Sequence, residues 1–178
     1  MTTRRTTLAL AALAALAFAA APAFAHGPTR QKVVETVTID VPAAKVWAII
    51  GDFDALKNWH PAVASSAADK GNEEGSVRQV KLKDGGALTE SLESWDAAKM
   101  KYSYRAKDGG ALPVTNYTST ISVRDDGGKA VVEWRGAFYR GYPNNDPPPD
   151  RNDEAAVRAV TAVYQAGLAQ LKTIAERK

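Results

Sequence analysis

Residues 41–61 read VPAAKVWAIIGDFDALKNWHP, and this stretch decides the fold. Pro42 suits the first turn of a helix, because it has no amide hydrogen that would need a partner there. The apolar residues that follow share one helical face before Gly51 ends the helix, and they are Val46, Trp47, Ile49 and Ile50. A second short helical turn is predicted over residues 54–58 and stops near Pro61. The stretch therefore predicts two short helices that lead into an aromatic turn with Trp59 and His60.

The segments on both sides of this stretch are typical of β-strands. Residues 33–41 alternate between apolar and polar side chains, the period of a half-buried strand. Farther along, Asp-Gly-Gly triplets begin at Asp84, Asp108 and Asp126, and glycine allows the positive φ angles that tight hairpins require. A calcium-binding repeat is the alternative, but the triplets are irregularly spaced and lack a ligand-rich loop. We therefore predict hairpin turns and no metal site.

The triplets also predict strand registers. A two-residue loop at Gly127-Gly128 pairs apolar residues on one face, namely Val123 with Val132, Ile121 with Trp134 and Tyr117 with Phe138. A three-residue loop at residues 84–86 pairs Leu82 with Leu88, Val80 with Glu90 and Arg78 with Leu92, so that Arg78 lies diagonal to Glu90. If residues 95–99 form the next turn, Met100, Tyr102 and Tyr104 share this face. One antiparallel meander with an aromatic concave side is expected.

The end of the chain changes to a helical period. Pro147, Pro148 and Pro149 interrupt regular structure, and either Asp150 or Asn152 can cap the helix that follows. Its apolar residues recur every three or four positions, and they are Val157, Val160, Tyr164, Leu168, Leu171 and Ile174. A stripe of this length needs a large apolar surface, which the open face of the sheet supplies.

The first 25 residues have the features of an export signal. Arg4 and Arg5 precede an apolar run over residues 8–21, and Ala23-Phe24-Ala25 has the small-residue pattern of a cleavage site. The run is too short for a spanning helix, which argues against a membrane anchor. The arginine pair leaves general or twin-arginine export open. We predict cleavage after Ala25, periplasmic localisation, and one domain over residues 26–178.

Composition narrows the function classes. The formal charge of +3 includes Arg4 and Arg5, and 21 basic against 20 acidic residues leaves +1 after cleavage, so nucleic acid is a poor candidate partner. The chain has no cysteine, which excludes a thiol nucleophile and a thiolate metal site. Cleavage would expose His26 as an amino-terminal copper chelator, but no second fixed ligand is evident.

A strand, two short helices, about six antiparallel strands and a long helix is an order that resembles the START-like helix-grip superfamily, also called SRPBCC or polyketide cyclase-like. The segments VPAAKVW, Gly51-Asp52-Phe53 and Trp59-His60-Pro61 carry the resemblance. It implies an α+β fold in which a curved antiparallel sheet of about seven strands wraps around the C-terminal helix. More narrowly, an exported chain of this length beginning His26-Gly27-Pro28 resembles the periplasmic MxaD-type accessory proteins of bacterial methanol oxidation.

The superfamily resemblance implies a cavity between the sheet and the long helix, used for lipids, hormones or polyketides. The candidate aromatic residues of its lining are Trp59, Tyr102, Tyr104, Tyr117, Trp134, Phe138 and Tyr164. Each ring could instead fill an ordinary core. Arg78 and Glu90 could orient a polar ligand head or form a structural ion pair. His60 could act as an acid or base at the cavity mouth, or form local hydrogen bonds in its turn.

Three functions follow from these observations. The narrower resemblance implies a non-catalytic periplasmic accessory protein, without a cofactor, that assists methanol dehydrogenase and its c-type cytochrome. A candidate contact surface is the proline-rich loop over residues 140–153, although it could be a plain connector. The second function is a carrier of a hydrophobic small molecule. The third is a cyclase or dehydratase that uses His60, which the scarcity of other catalytic groups argues against.

Overall fold

The computed structural model describes residues 27–177. The predicted export signal, its cleavage after Ala25 and the possible copper ligand His26 lie outside the described residues. Across residues 27–177, no helix combines the length and the apolar character needed to cross a bilayer.

Seven strands form one antiparallel sheet, in the spatial order β1-β7-β6-β5-β4-β3-β2. The strands are β1 (Gln31–Ile39), β2 (Val63–Ala68), β3 (Val77–Leu82), β4 (Ala87–Asp96), β5 (Lys101–Asp108), β6 (Val114–Asp126) and β7 (Lys129–Arg140). Three helices complete the fold, α1 (Ala43–Ile50), α2 (Leu56–Trp59) and α3 (Asp153–Ala175). This α+β arrangement of a curved sheet, two short helices after β1 and a long final helix confirms the predicted helix-grip fold.

The boundaries of the helices follow from local chemistry. Pro42 is the N-cap of α1 and Gly51 follows its last residue. Asn152 caps α3, because its side chain accepts a hydrogen bond from the amide of Ala155, which resolves the two predicted alternatives. Asp153 in the first turn of α3 adds a favourable negative charge at the positive end of the helix dipole.

The register predicted around Gly127-Gly128 is confirmed over most of the hairpin. Val123 pairs with Val132 and Ile121 with Trp134. Farther from the turn the register shifts between Thr115 and Thr118, where Asn116 takes a φ of 48°. Tyr117 and Phe138 therefore do not continue the regular ladder, although their ring centroids are 6.3 Å apart.

The register predicted for the β3–β4 hairpin is wrong by two residues. The loop consists of residues 83–85, with Gly85 at a φ of 94°, and the amide of Leu82 donates to the carbonyl of Gly86 at 2.8 Å. This places the residue with positive φ last in a three-residue loop, the usual arrangement. A shift of two preserves the side-chain faces, and Arg78 therefore lies directly opposite Glu90 rather than diagonal to it.

The turn predicted over residues 95–99 also differs. Trp95 continues β4 and pairs with Tyr102, while Met100 takes a φ of 47° in the turn before β5. The backbone therefore reverses over residues 97–100, later than the sequence pattern indicates, and the register of β4 also shifts between Leu92 and Ser94. The half-buried side chain of Met100 still packs against the core.

The core lies between the concave face of the sheet and the three helices. α3 contributes most of its predicted stripe, and Val160, Tyr164, Leu168 and Leu171 are buried. The opposite face of the sheet is polar and carries Val34, which is 57% exposed. The candidate functional residues consequently lie between the concave face of the sheet and the helices.

Candidate functional site

A small cavity of about 70 Å³ lies between the sheet, α2 and α3. Most of its lining is aliphatic, and these residues are Leu56, Ala62, Val63, Val80, Leu82, Leu88, Leu112 and Val163. Ligand pockets for drug-sized molecules have about 300–1,000 Å³. The cavity is therefore suited in volume to a much smaller molecule.

The predicted cavity residues divide into two groups. Those that line the cavity are His60, Glu90, Tyr104, Tyr117 and Trp134. Those that lie outside its lining and are buried in the surrounding core are Trp59, Arg78, Tyr102, Phe138 and Tyr164. The second group supports the walls from behind.

Arg78 and Glu90 form a buried ion pair at one side of the cavity. Arg78 Nε and Nη2 donate to Glu90 Oε2 at 2.9 and 2.7 Å, and Nη1 donates to the carbonyl of Phe53. The guanidinium carbon lies 4.1 Å from the Phe53 ring centroid and 5.0 Å from that of Tyr104. Burial alone lowers the pKa of Arg78, but the charge of Glu90 offsets this effect and the pKa is raised overall. Arg78 is therefore a permanent cation whose charge Glu90 balances.

A hydrogen-bonded set of side chains crosses from the sheet to α3. Trp134 Nε1 donates to Ser119 Oγ at 2.9 Å and to the hydroxyl of Tyr104 at 3.2 Å. The hydroxyl of Tyr164 lies 2.9 Å from Ser119 Oγ and 2.7 Å from the hydroxyl of Tyr117. Burial is the main cause that raises the pKa of Tyr104, Tyr117 and Tyr164. These phenols keep their protons at neutral pH, so each can donate as well as accept a hydrogen bond.

Both ring nitrogens of His60 have partners. Nε2 lies 3.0 Å from the carbonyl of Val163 in α3, and Nδ1 accepts from the amide of Ala62 at 3.2 Å. This pattern assigns the proton of the neutral ring to Nε2. Burial lowers the pKa of His60, with the hydrogen bond to Val163 acting in the opposite direction. The ring therefore joins the Trp-His-Pro turn to α3, the local hydrogen-bonding role that the sequence leaves open.

Two glycines make room for these aromatic contacts. A Cβ atom at Gly167 in α3 would lie 2.7 Å from His60 Cδ2 and 2.8 Å from Trp134 Cζ3. A Cβ atom at Gly136 in β7 would lie 2.2 Å from the hydroxyl oxygen of Tyr164. Both positions are consequently too close to their neighbours for a larger side chain.

Trp59 packs behind the cavity rather than in its wall. Its ring centroid is 5.4 Å from that of Trp134, in an edge-to-face arrangement. Its Nε1 is buried and has no hydrogen-bond partner among residues 27–177. The contribution of Trp59 is therefore mainly apolar packing.

Two residues of the candidate site are not predicted from the sequence. Ser119 links Trp134 with Tyr164, and its shared strand parity with Tyr117 is the signal that could have identified it. Val163 is half-buried and provides both a wall of the cavity and the carbonyl partner of His60. The sequence cannot identify which backbone carbonyl binds His60, because every residue has a backbone carbonyl.

Within residues 27–177, no group of His, Asp and Glu side chains has the clustering needed to hold a metal ion.

The comparisons with known proteins agree with this architecture. Residues 30–176 match the family described as polyketide cyclase/dehydrase and lipid transport. The chain belongs to this family. Its members bind hydrophobic small molecules. The predicted superfamily is thereby confirmed, whereas the narrower resemblance to MxaD-type proteins stays a prediction.

Individual relatives resemble the chain over most of its length. The abscisic acid receptor PYL10 of Arabidopsis thaliana is 31% identical over 145 residues, which cover 78% of this chain and 76% of the receptor. A solved structure from Bacillus thuringiensis is 29% identical with a TM-score of 0.70, and covers 83% of this chain and 100% of its own. The protein XoxI from Bacillus cereus is also 29% identical, with a TM-score of 0.68, covering 80% and 94% respectively.

Proposed function

We propose that this protein is a non-catalytic binding protein that holds a small, mainly apolar molecule in the cavity between the sheet, α2 and α3. The observation that carries the proposal is a cavity of about 70 Å³ whose walls are mostly aliphatic, with Glu90, Tyr104 and Tyr117 in its lining. Apolar walls favour the carbon part of a ligand, and a few polar groups fix its orientation. Membership of a family whose members bind hydrophobic small molecules supports the same function.

The chemistry of the lining favours binding over catalysis. Both nitrogens of His60 have hydrogen-bond partners, which makes a proton transfer from this ring to a ligand unfavourable. Glu90 is engaged by Arg78, and burial raises the pKa of the neighbouring Tyr104 and Tyr117 phenols. Among the contacts of residues 27–177, none specifically favours the third function, a cyclase or dehydratase that uses His60.

The experiment is native mass spectrometry of the purified full chain, followed by organic extraction and refolding. We expect a bound small molecule or, after extraction, saturable shifts of the methyl NMR signals of Val63, Val80 and Leu88 upon addition of small apolar compounds. The methyl signals of Val34, on the exposed opposite face, are the internal control. The absence of any bound molecule, together with unchanged cavity signals across compounds of all sizes, would overturn the proposal.

A second proposed function is that of a periplasmic accessory protein in methanol oxidation, acting on methanol dehydrogenase or its c-type cytochrome. The predicted export signal and the MxaD-type resemblance support it. The proline-rich loop supports it as well, because buried Arg140 holds this loop in one shape. Arg140 Nε donates to the carbonyl of Tyr142 at 2.9 Å, Nη2 to that of Asn144 at 3.0 Å, and Nη1 pairs with Asp153 at 3.2 Å.

This function is tested by adding the protein to methanol dehydrogenase and its cytochrome while cytochrome reduction is followed. We expect a higher rate, and a smaller increase when Pro147, Pro148 and Pro149 are replaced by serine, because loop rigidity lowers the entropy lost on binding. Replacing exposed Lys99 in the β4–β5 turn by serine is the control. An unchanged rate together with no measurable binding to either protein would exclude the accessory role.

A further inference from the structure

The volume of the cavity limits the size of its occupant. An apolar cavity of about 150 Å³ holds benzene, which has six heavy atoms. The cavity between the sheet and α3 has about 70 Å³, roughly half of that volume. At the same packing, this volume accommodates about three heavy atoms, and a fourth can extend through the open side of the cavity.

One carboxylate oxygen in the wall is available to such a molecule. Glu90 is 5% exposed, and its Oε2 accepts both hydrogen bonds from Arg78. Among residues 27–177, no side chain or amide donates to Glu90 Oε1. Trp59 Nε1 is the one fully buried polar side-chain atom without a partner among residues 27–177, so Glu90 Oε1 is accessible to water or to a ligand. A ligand that donates to this oxygen gains a hydrogen bond to a charged group.

A hydrogen-bond donor lies on the neighbouring strand. Tyr104 pairs with Leu92 across β4 and β5, and Glu90 is two residues before Leu92, so the two side chains are diagonal neighbours on the concave face. The hydroxyl of Tyr104 accepts from Trp134 and still has its own proton to donate. The cavity lining therefore contains a carboxylate acceptor and a phenol donor on diagonal neighbours, and long or aromatic side chains at such positions can reach the same ligand group.

The neutral charge of the Arg78–Glu90 pair determines which polar group a ligand in the cavity can carry. Arg78 and Glu90 neutralise each other, so an ammonium or a carboxylate in the cavity would be a buried charge without a counterion. A neutral group avoids this cost. The aliphatic part of the wall, which includes Val63, Val80 and Leu88, offers apolar contacts to the rest of such a molecule.

We propose that the cavity selectively binds short-chain alcohols of about three or four heavy atoms, whose hydroxyl donates to Glu90 and accepts from Tyr104. The aliphatic chain lies against Val63, Val80 and Leu88. This inference rests on the proposed binding function and specifies the chemical class of its ligand.

The test is a methyl NMR titration of the full chain with 1-propanol and with its isomer ethyl methyl ether, which has no O–H donor. We expect saturable shifts of the Val80 and Leu88 signals, with an affinity for 1-propanol about tenfold higher than for the ether. Propylammonium, propionate and 1-decanol are expected to bind more weakly than 1-propanol. Equal affinities for the alcohol and the ether would overturn the proposal, and so would tighter binding of 1-decanol.

Two matched pairs of variants locate the interaction. Tyr104→Phe removes a hydroxyl from the cavity wall and is expected to weaken 1-propanol binding several-fold, whereas Tyr102→Phe removes a buried hydroxyl outside the lining and is expected to leave it unchanged. Val80→Ile adds a methylene group to the cavity, and Val34→Ile adds the same group on the exposed face. Only Val80→Ile is expected to weaken binding. Equal effects within both pairs would contradict the assignment.

The two proposals fail in different ways. If no compound of any size shifts the cavity signals, the binding function itself is wrong. If larger apolar compounds bind while 1-propanol does not, the binding function stands and the selectivity for short alcohols is wrong. The comparison of alcohol and ether uses the unmodified protein, so it remains decisive even if Tyr104→Phe does not fold.

Discussion

Gly167 is a residue whose helix propensity and tertiary contacts oppose each other. Glycine inside a helix is about 1 kcal/mol less favourable than alanine. At this position, however, a Cβ atom would lie 2.7 Å from His60 Cδ2 and 2.8 Å from Trp134 Cζ3. Overpacking of a well-packed core costs about 1–3 kcal/mol. We therefore expect Gly167→Ala to lower the free energy of unfolding by about 1–2 kcal/mol, measured by urea denaturation.

The neighbouring exposed Ala166 provides the reverse substitution as a control. Ala166→Gly is expected to cost about 1 kcal/mol from helix propensity alone. If Gly167→Ala instead raised the free energy of unfolding by a similar amount, the contacts of His60 and Trp134 with α3 would have to be looser than the structure describes.

His60 is expected to make stability dependent on pH. Burial lowers its pKa below the ordinary value of 6.5, and the charge of Lys83 acts in the same direction. As pH falls below about 6.5, the unfolded chain takes up a proton that the folded state resists, so the free energy of unfolding decreases. The contribution is fully present above this pH and is lost progressively below it.

The variant His60→Gln removes this titration and keeps an amide that can donate to the Val163 carbonyl. Urea denaturation between pH 5 and 8 measures the effect. We expect the variant to be less stable by about 1–3 kcal/mol at pH 8, with a shallower loss of stability below pH 6.5. Parallel pH profiles for the two proteins would show that His60 titrates alike in the folded and unfolded states.

At the scale of elements, the sequence predicts faces better than registers. The β6–β7 register follows from Gly127-Gly128, because two consecutive glycines with positive φ specify one tight loop. The β3–β4 triplet allows more than one loop, and the choice depends on which residue takes the positive φ. Alternation of apolar side chains cannot decide between registers that differ by two residues, since both preserve the same faces.

The candidate site shows the same limit. Strand parity predicts that Glu90, Tyr104 and Tyr117 lie on the concave face, and these residues do line the cavity. Strand parity does not predict that Tyr102 lies outside the cavity lining. Its position depends on how the side chains of α1 and α2 pack against the concave face of the sheet. The partners of His60 are equally hidden, since they are a backbone amide and a backbone carbonyl.

The connection between β7 and α3 depends on one buried side chain. Arg140 donates to the carbonyls of Tyr142 and Asn144 and pairs with Asp153 at the start of α3. Arg140→Met would leave these acceptors without their donors, at an expected cost of about 2–4 kcal/mol. We also expect limited proteolysis to cleave residues 141–152 faster in this variant, with the cleavage sites identified by mass spectrometry.

Arg135→Met is the matched control, because Arg135 lies on the outward face of the same strand. Its one ion pair within the described part of the chain is with Glu133, at 3.8 Å. An exposed pair of this kind contributes less than about 1 kcal/mol. Equal cleavage rates in the two variants would mean that the prolines, rather than Arg140, hold the loop in place.

At the scale of the whole molecule, the proposed binding role and the predicted export depend on different parts of the chain. The grip and its cavity are formed by residues within 27–177, whereas the targeting features lie in the first 25 residues. Packing and buried hydrogen bonds hold this fold together without a disulfide, because the chain contains no cysteine. The fold is therefore compatible with either a reducing or an oxidising compartment.

Export makes a separate prediction about the mature chain. A signal peptidase requires small residues at the positions that Ala23 and Ala25 occupy, and tolerates a larger residue between them. We expect the full chain, expressed in a Gram-negative bacterium, to be recovered from the periplasm with His26 as its first residue, as shown by intact mass and amino-terminal sequencing. Ala25→Phe should block cleavage, whereas Phe24→Tyr should not. Recovery of the uncleaved chain from the cytoplasm would contradict the export prediction and, with it, the periplasmic accessory role, while the cavity and its ligand selectivity would be unaffected.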